Sequence, residues 1–363
     1  MVRRISLAVV VAVIALAVVN KDRLMTKLRG IASSKIASST DKSGAADKPG
    51  AADKSGTDKS GAADKSSAAD KSGAAGAGEP RTLSLPGLRK TLKTTIEGER
   101  DESPAPEPPA GDLEKVSYDA PLGKNVAYIT PVKPGARGPA IIWIHGGFGW
   151  GIDDLAWTPG ERANDQSATG YRKAGIAEMY PALRGGSQNP GHPECFLGEI
   201  DDVLAAADFL AKRADVDPQR IYLGGHSTGA LIALLAAEST TRFRTVFAFG
   251  PVADPRQYGK SSCMPAGAGD NETRARSALE FLFEIATPTY VIDGVNGNAG
   301  VFPMMKKRSG NAPITYLTIP GADHFSALAP GVDVTAMAIL ADTGNKPAIN
   351  ITVDAIQAAM RTN

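Results

Sequence analysis

The sequence is short of the residues from which metal centres, disulfide frameworks and nucleic-acid surfaces are built. Its 363 residues include two cysteines and four histidines. Cys195 and Cys263 stand in no CxxC or other metal-ligand spacing, and two cysteines cannot define a disulfide framework. A formal net charge of +1 gives no basic surface for nucleic acid. We therefore expect no metal, no cofactor and no nucleic-acid partner. We favour two separate thiols, although they could pair in an exported protein.

Large apolar side chains are scarce in the first part of the chain. In residues 41–78 the unit Asp-Lys-Ser-Gly-Ala-Ala recurs without any Leu, Ile, Val or aromatic residue. Such a segment cannot bury enough apolar surface to offset the entropy lost on ordering. A proline-rich stretch at residues 103–109 follows. We predict that residues 21–111 are a low-complexity, disordered linker, with at most a short helix within residues 83–96.

The N-terminus carries a targeting pattern. Arg3 and Arg4 precede an uninterrupted run of apolar or small residues at positions 5–19. A basic start followed by an apolar run is typical of a secretory signal. The run is shorter than the roughly 20 residues that a membrane-spanning helix needs. We predict that residues 1–20 are a signal peptide or a membrane anchor. The protein is then exported to the cell envelope, secreted or periplasmic if the segment is cleaved and membrane-bound if it is not.

Strands and helices alternate in the remainder, residues 112–363. Apolar runs such as residues 140–144 are typical of strands covered on both faces. The alternation predicts an α/β fold with a mostly parallel, doubly wound sheet. The polar stretch at residues 254–287 is predicted to be a small cap insertion. The predicted strands are residues 126–130, 140–144, 176–180, 221–223, 246–249, 290–292 and 314–319, and the predicted helices are residues 196–212, 228–238 and 353–360.

A nucleophile motif lies at residues 225–229, which read Gly-His-Ser-Thr-Gly. This G-x-S-x-G pattern directly follows an apolar strand and opens a helix rich in Ala and Leu, which is the context that the motif requires. A serine hydroxyl needs a base to become a nucleophile. Of the four histidines only His324 lies downstream of Ser227, just after the last predicted strand. We predict Ser227 as the nucleophile and His324 as its base.

The third member of a triad must orient the imidazole and stabilise its charged form. Asp293 ends a predicted strand between the serine and the histidine, and it is the predicted acid. Asp254 follows the preceding predicted strand and is the alternative acid. Asn298, five residues after Asp293, is a neutral substitute that could hold the ring.

The oxyanion of an acyl-transfer reaction needs preorganised backbone N–H donors. Thr228, the residue after the serine, is one predicted donor. The other is predicted from the loop after the strand at residues 140–144, where Gly146 and Gly147 follow a histidine. Glycines there allow the backbone to approach the substrate oxygen closely.

The pattern at residues 145–325 resembles the α/β-hydrolase superfamily, most of all small members of the prolyl oligopeptidase and dienelactone hydrolase-like group. Further stretches that carry the resemblance are residues 180–186, 198–203 and 217–222. The resemblance covers roughly residues 113–361 and implies the α/β-hydrolase fold. It also implies a serine hydrolase that acts through a Ser-His-Asp triad and an acyl-enzyme.

Two functions are compatible with these observations. The first is an exported serine hydrolase whose partner is a small-molecule ester, amide or peptide substrate. The alternative is a non-catalytic binding domain of the same fold on a membrane tether, which an intact Ser227 and His324 disfavour.

Overall fold

The computed structural model describes residues 83–135 and 137–362. The predicted signal peptide or anchor at residues 1–20 and the repeats at residues 41–78 lie outside the described residues. Within the described ranges, no helix combines the length and the apolar character that crossing a membrane demands.

A single mixed sheet organises the described chain. Its strands lie in the order β1-β2-β4-β3-β5-β6-β7-β8. β1 pairs antiparallel with β2, and β2 pairs antiparallel with β4, whereas all pairs from β4 to β8 are parallel. This confirms the predicted α/β fold with a mostly parallel sheet. The strands are β1 Glu114–Ala120, β2 Gly123–Ile129, β3 Gly138–Ile144, β4 Ala177–Pro181, β5 Val216–His226, β6 Val246–Phe249, β7 Thr289–Gly294 and β8 Ile314–Ile319.

Helices cover both faces of this sheet. They are α1 Leu85–Thr91, α2 Thr169–Lys173, α3 Glu199–Ala211, α4 Thr228–Ser239, α5 Asp270–Arg274, α6 Phe302–Ser309, α7 Leu328–Ala341 and α8 Val353–Met360. Strand β3 shows how the two cores are divided, because successive side chains of a strand point to opposite faces. Ile142 and Ile144 pack with α1, α3, α4 and α6 on one face. Ile141 and Trp143 pack with α2, α7 and α8 on the other.

The sequence analysis did not predict strand β1 or helices α2, α5, α6 and α7. Helices α2 and α5 have only five residues each. Strand β1 is a half-exposed edge strand, so its sequence lacks the apolar run that marks the inner strands. Helix α7 has Pro330 and Gly331 in its first turn. This pair is typical of a helix end, although proline is tolerated in a first turn. Helix α6 is short, and most of its residues are polar or exposed.

The described part of the predicted linker is folded onto the domain, so the prediction is wrong for residues 83–111. The short helix expected there is observed as α1, with Leu85 and Leu88 buried. Farther along, the Gly98 N–H donates to the Pro193 carbonyl over 2.7 Å, and the Asp101 N–H donates to the Gly185 carbonyl over 2.7 Å. The physical reason is composition, because this stretch contains the large apolar side chains that the repeats lack.

Cys195 and Cys263 form a disulfide, with their Cα atoms 5.5 Å apart. The expectation of two separate thiols is therefore wrong. The two residues are 68 positions apart in sequence, and only the tertiary fold brings them together. Cys263 belongs to the predicted cap, which consists of short helical turns around α5. The disulfide ties this cap to the loop that follows β4.

Candidate active site

Ser227 occupies a sharp turn between β5 and α4. Its φ of 55° and ψ of −114° are unusual for a residue other than glycine, and such strain is typical of functional turns. The Ser227 N–H donates to the Phe249 carbonyl over 2.8 Å, which fixes the turn against β6. A Cβ atom on Gly229 would lie 2.2 Å from the Ile144 carbonyl oxygen, so a glycine is required for α4 to start this close to β3. The turn presents Ser227 at the carboxyl edge of the sheet.

His324 and Asp293 meet at the same edge. Asp293 lies at the end of β7, and His324 lies in the loop after β8, the neighbouring strand. The His324 Nδ1 atom is 3.3 Å from Asp293 Oδ2, while the Asp293 side chain is 1% exposed and that of His324 is 20% exposed. Since Nδ1 faces the carboxylate, the Nε2 atom of the imidazole is left for the reacting groups.

The Asp293 carboxylate is held by the backbone. The Gly294 N–H donates to Oδ1 over 2.8 Å, and the Asn298 N–H donates to Oδ2 over 2.5 Å. The Asn298 side chain donates to the Gly250 carbonyl over 2.8 Å. Asn298 therefore holds the Asp293 carboxylate, and Asp293 is the residue that faces the His324 ring. These bonds fix the direction in which the carboxylate faces the imidazole.

Asp254, the alternative acid, serves a different purpose. It begins the first turn of the cap, where its Oδ1 accepts from the Arg256 N–H over 2.8 Å, and both its oxygens accept from the Arg256 guanidinium. Burial opposes ionisation of Asp254, but the hydrogen bonds from Arg256 outweigh it and lower the pKa of the carboxyl. Asp254 forms no hydrogen bond or ion pair with His324 in the described chain. The structure brings Asp293, and not Asp254, to the imidazole.

The glycine loop after β3 lies against the nucleophile turn. A Cβ atom on Gly146 would be 3.2 Å from Ser227 Cβ, so the loop backbone approaches the serine closely. Gly147 has a φ of 94°, a left-handed conformation that favours glycine. The Thr228 hydroxyl donates to the Gly147 carbonyl and links the loop to the turn. The backbones of the three predicted oxyanion residues are thereby held beside Ser227.

His226 has a supporting role that the sequence analysis missed. Its Nε2 lies 3.1 Å from the His324 carbonyl oxygen, and the two rings are 4.5 Å apart. Burial, and then the like charge of His324, lower the pKa of His226 to about 4. The ring is therefore neutral near pH 7 and donates its Nε2–H to that carbonyl. His226 thus anchors the loop that carries the base. The described chain contains no hydrogen bond between Ser227 and His324.

No cluster of three or more His, Cys, Asp or Glu side chains suited to a metal ion occurs among the described residues. Tyr258, from the cap, packs edge-on against Phe148 of the glycine loop with ring centroids 5.0 Å apart. No signal in the sequence marks Tyr258, because its place depends on how the cap folds back over the sheet.

Comparisons with known proteins point to the same fold. Residues 174–327, which include Ser227, Asp293 and His324, match the prolyl oligopeptidase family. A thiohydrolase of Arthrinium phaeospermum is 27% identical over 203 residues, which make up 54% of this chain and 60% of the thiohydrolase.

Solved structures with the same fold include two peptidases. A puromycin-hydrolyzing peptidase of Mycobacterium tuberculosis superposes with a TM-score of 0.52 at 21% identity, over 66% of this chain and 41% of that one. An acylaminoacyl peptidase of Pyrococcus horikoshii gives a TM-score of 0.53 at 13% identity, over 68% and 44%. The chain thus spans about half the length of these relatives. The chain has the α/β-hydrolase fold of these proteins, and its residues 174–327 match the prolyl oligopeptidase family.

Proposed function

We propose that the protein is an exported serine hydrolase that cleaves an ester or a small amide or peptide bond. The observation that carries this proposal is the His324–Asp293 pair, which lies at the same sheet edge as Ser227 in its strained turn. A nucleophile, a base and an acid that orients the base are the three groups of a Ser-His-Asp triad, which performs acyl transfer.

The reaction follows from the positions of these groups. Ser227 attacks the substrate carbonyl while His324 accepts its proton, and Asp293 stabilises the imidazolium that forms. The carbonyl oxygen becomes an oxyanion and is stabilised by backbone N–H groups of Gly147 and Thr228. His324 then gives its proton to the leaving group. Water enters with His324 as base and releases the acid product from Ser227.

Export is supported by two independent features. Arg3, Arg4 and the apolar run after them are typical of a signal segment. The Cys195–Cys263 disulfide is the kind of bond that persists in oxidising compartments and is rare in the cytosol of mesophiles. Alkaline phosphatase fused after residue 111 tests this proposal, since the reporter is active only when it is exported. An inactive fusion would contradict it.

The bond that is cleaved is best identified with a substrate panel. The relatives include a thiohydrolase and peptidases, so the panel contains chromogenic acyl esters, acyl thioesters and aminoacyl amides. We expect turnover of at least one class by the wild-type protein and none above background by Ser227→Ala. Absence of turnover across the panel by a folded wild-type protein would favour the binding-domain alternative.

A further inference from the structure

Phe325 is a large apolar side chain that is exposed directly beside the proposed base. It follows His324 in the chain and is 39% exposed. Single exposed apolar residues are common on protein surfaces, so exposure alone assigns no role. The position of the ring is what distinguishes it. The Phe325 ring meets the His324 imidazole edge-on with ring centroids 5.0 Å apart, and it lies 5.6 Å from the ring of His226, the residue before Ser227.

The turn that carries Phe325 is fixed by hydrogen bonds. The Asp323 carboxylate accepts from the Phe325 N–H over 3.0 Å and from the Ser326 N–H over 2.8 Å. The hydrogen bond from the Ser326 backbone, the largest of several causes, lowers the pKa of Asp323. The Phe325 carbonyl accepts from the Leu328 N–H over 3.0 Å, at the start of α7. The backbone of Phe325 is therefore held in place beside His324.

The order of the strands gives the nucleophile two different sides. The glycine loop, which carries the predicted oxyanion donors, follows β3, and β3 borders β5 on one side. Strands β6, β7 and β8 follow β5 on the other side, and the loop after β8 carries His324 and Phe325. In acyl transfer the leaving group takes its proton from the base. The leaving group therefore departs on the side where Phe325 lies.

The cap packs over the oxyanion side, whereas the side of the base stays exposed. Tyr258 of the cap packs against Phe148 of the glycine loop, and Cys263 of the cap is bonded to Cys195. On the side of the base, Val295 in the loop after β7 is exposed, as Phe325 is in the loop after β8. A bulky leaving group thus has apolar surface to lie on and room to extend without displacing the cap.

We propose that Phe325 is a specificity residue that binds the leaving group, and that the preferred substrates release an alcohol, thiol or amine that carries a benzyl-like ring. The inference rests on the proposed serine hydrolase function. The ring of the leaving group packs on Phe325 while its oxygen, sulfur or nitrogen receives the proton from His324 Nε2. Phe325 exchanges no proton and forms no bond, so the balance of the reaction is unchanged.

The test compares the benzyl ester with the methyl ester of one acid. Benzyl alcohol and methanol have similar acidity, so the two esters differ mainly in the ring of the leaving group. The ratio of their kcat/KM values reports how much that ring stabilises the transition state of acylation. A contact between two aromatic rings is worth roughly two- to tenfold beyond the area it buries. We expect the wild-type protein to prefer the benzyl ester.

Three variants locate the preference. Phe325→Ala should lower the benzyl-to-methyl ratio at least about threefold, and Phe325→Tyr, which keeps the ring, should retain the wild-type ratio. Met337→Ala is the matched control, because it removes another exposed apolar side chain from the distal part of α7. This control should also keep the wild-type ratio.

A second measurement separates binding of the leaving group from support of the base. A fluorophosphonate releases fluoride, which has no apolar part. The rate at which it labels Ser227 should therefore be the same in Phe325→Ala as in the wild type. The preference between acetyl and butyryl esters of one alcohol should also be unchanged, because the acyl chain does not depart with the alcohol.

Three results would overturn the inference and leave the proposed function intact. One is a wild-type protein that hydrolyses the methyl ester at least as well as the benzyl ester. Another is an unchanged benzyl-to-methyl ratio in Phe325→Ala. The third is an equal loss for both esters together with slower labelling of Ser227, since this is the pattern of a misplaced base. A folded wild-type protein without ester turnover and without labelling would overturn both proposals.

Discussion

Replacing Asp293 by asparagine tests the acid with the smallest structural change. Oδ2 accepts from the Asn298 N–H and faces His324 Nδ1, whereas Oδ1 accepts only from the Gly294 N–H. An asparagine amide has one acceptor oxygen and one donor nitrogen. Its oxygen should take the Oδ2 position, which preserves the contacts with the Asn298 N–H and with His324 Nδ1. The hydrogen bond from the Gly294 N–H to Oδ1 is then lost. His324 then keeps an acceptor at Nδ1, so the main loss is the negative charge.

The magnitude follows from the geometry of the pair. In the transition state His324 becomes an imidazolium 3.3 Å from the carboxylate oxygen. Two unit charges about 4 Å apart attract by about 4 kcal/mol at an effective dielectric constant of 20. Because each 1.36 kcal/mol corresponds to tenfold in rate, we expect Asp293→Asn to lower kcat/KM about a thousandfold.

The matched control is Asp254→Asn, which makes the same chemical change at the alternative acid. Asp254 pairs with an Arg256 side chain that is 65% exposed, so its loss should change kcat/KM less than about threefold. Both variants are assayed on the best ester of the panel, after circular dichroism shows that they are folded. A loss below about tenfold in Asp293→Asn, or a larger loss in Asp254→Asn, would refute the assignment of the acid.

Three further predictions concern stability. Burial lowers the pKa of His226 to about 4, so as pH falls the unfolded chain binds a proton near pH 6.5 before the folded chain does. The free energy of unfolding should therefore fall by up to about 3 kcal/mol between pH 6.5 and 4. Guanidinium melts of His226→Gln should show a shallower pH dependence than those of the wild type. Both carboxylate oxygens of the buried Glu238 lack partners in the described chain, and burial raises its pKa well above the usual range. As pH rises, the carboxyl ionises in the unfolded chain before it does in the folded chain, which destabilises the fold. Glu238→Met should therefore raise the free energy of unfolding by about 1–3 kcal/mol at pH 8 and by less at pH 4. An unchanged free energy at pH 8 would contradict the burial argument. Replacing both Cys195 and Cys263 by serine opens a loop of 68 residues and should lower the free energy of unfolding by about 4 kcal/mol. An unchanged midpoint in chemical unfolding would contradict this prediction.

Much of the sheet could be predicted from the sequence because its inner strands are continuous apolar runs. Val246–Phe249 and Ile314–Ile319 begin and end where their apolar runs predict. The edge strand Glu114–Ala120 was missed, since half of its surface faces solvent and it has no such run. It was also predictable that Ser227, Asp293 and His324 lie at one edge of the sheet, because the loops after parallel strands of a doubly wound sheet share that edge.

The remaining site residues depend on tertiary contacts that leave no local pattern. Cys263 of the cap pairs with Cys195 of the loop after β4, and the two residues are 68 positions apart in sequence. His226 lies inside the nucleophile motif, but its bond to the His324 carbonyl connects residues 98 positions apart. Asn298 donates to Asp293 through its backbone N–H, which every residue type except proline can supply. Sequence reasoning finds residues whose chemistry is rare, and it misses those whose position alone makes them useful.

The central claim is that Ser227 is an activated nucleophile, and covalent labelling tests it most directly. The wild-type protein is incubated with a fluorophosphonate, and the site of the adduct is located by mass spectrometry of the digested chain. We predict one adduct per chain, on Ser227, with loss of hydrolysis in proportion to labelling and no adduct in Ser227→Ala or in unfolded wild-type protein. A folded wild-type protein that forms no adduct, or an adduct on another residue with hydrolysis unchanged, would contradict the account.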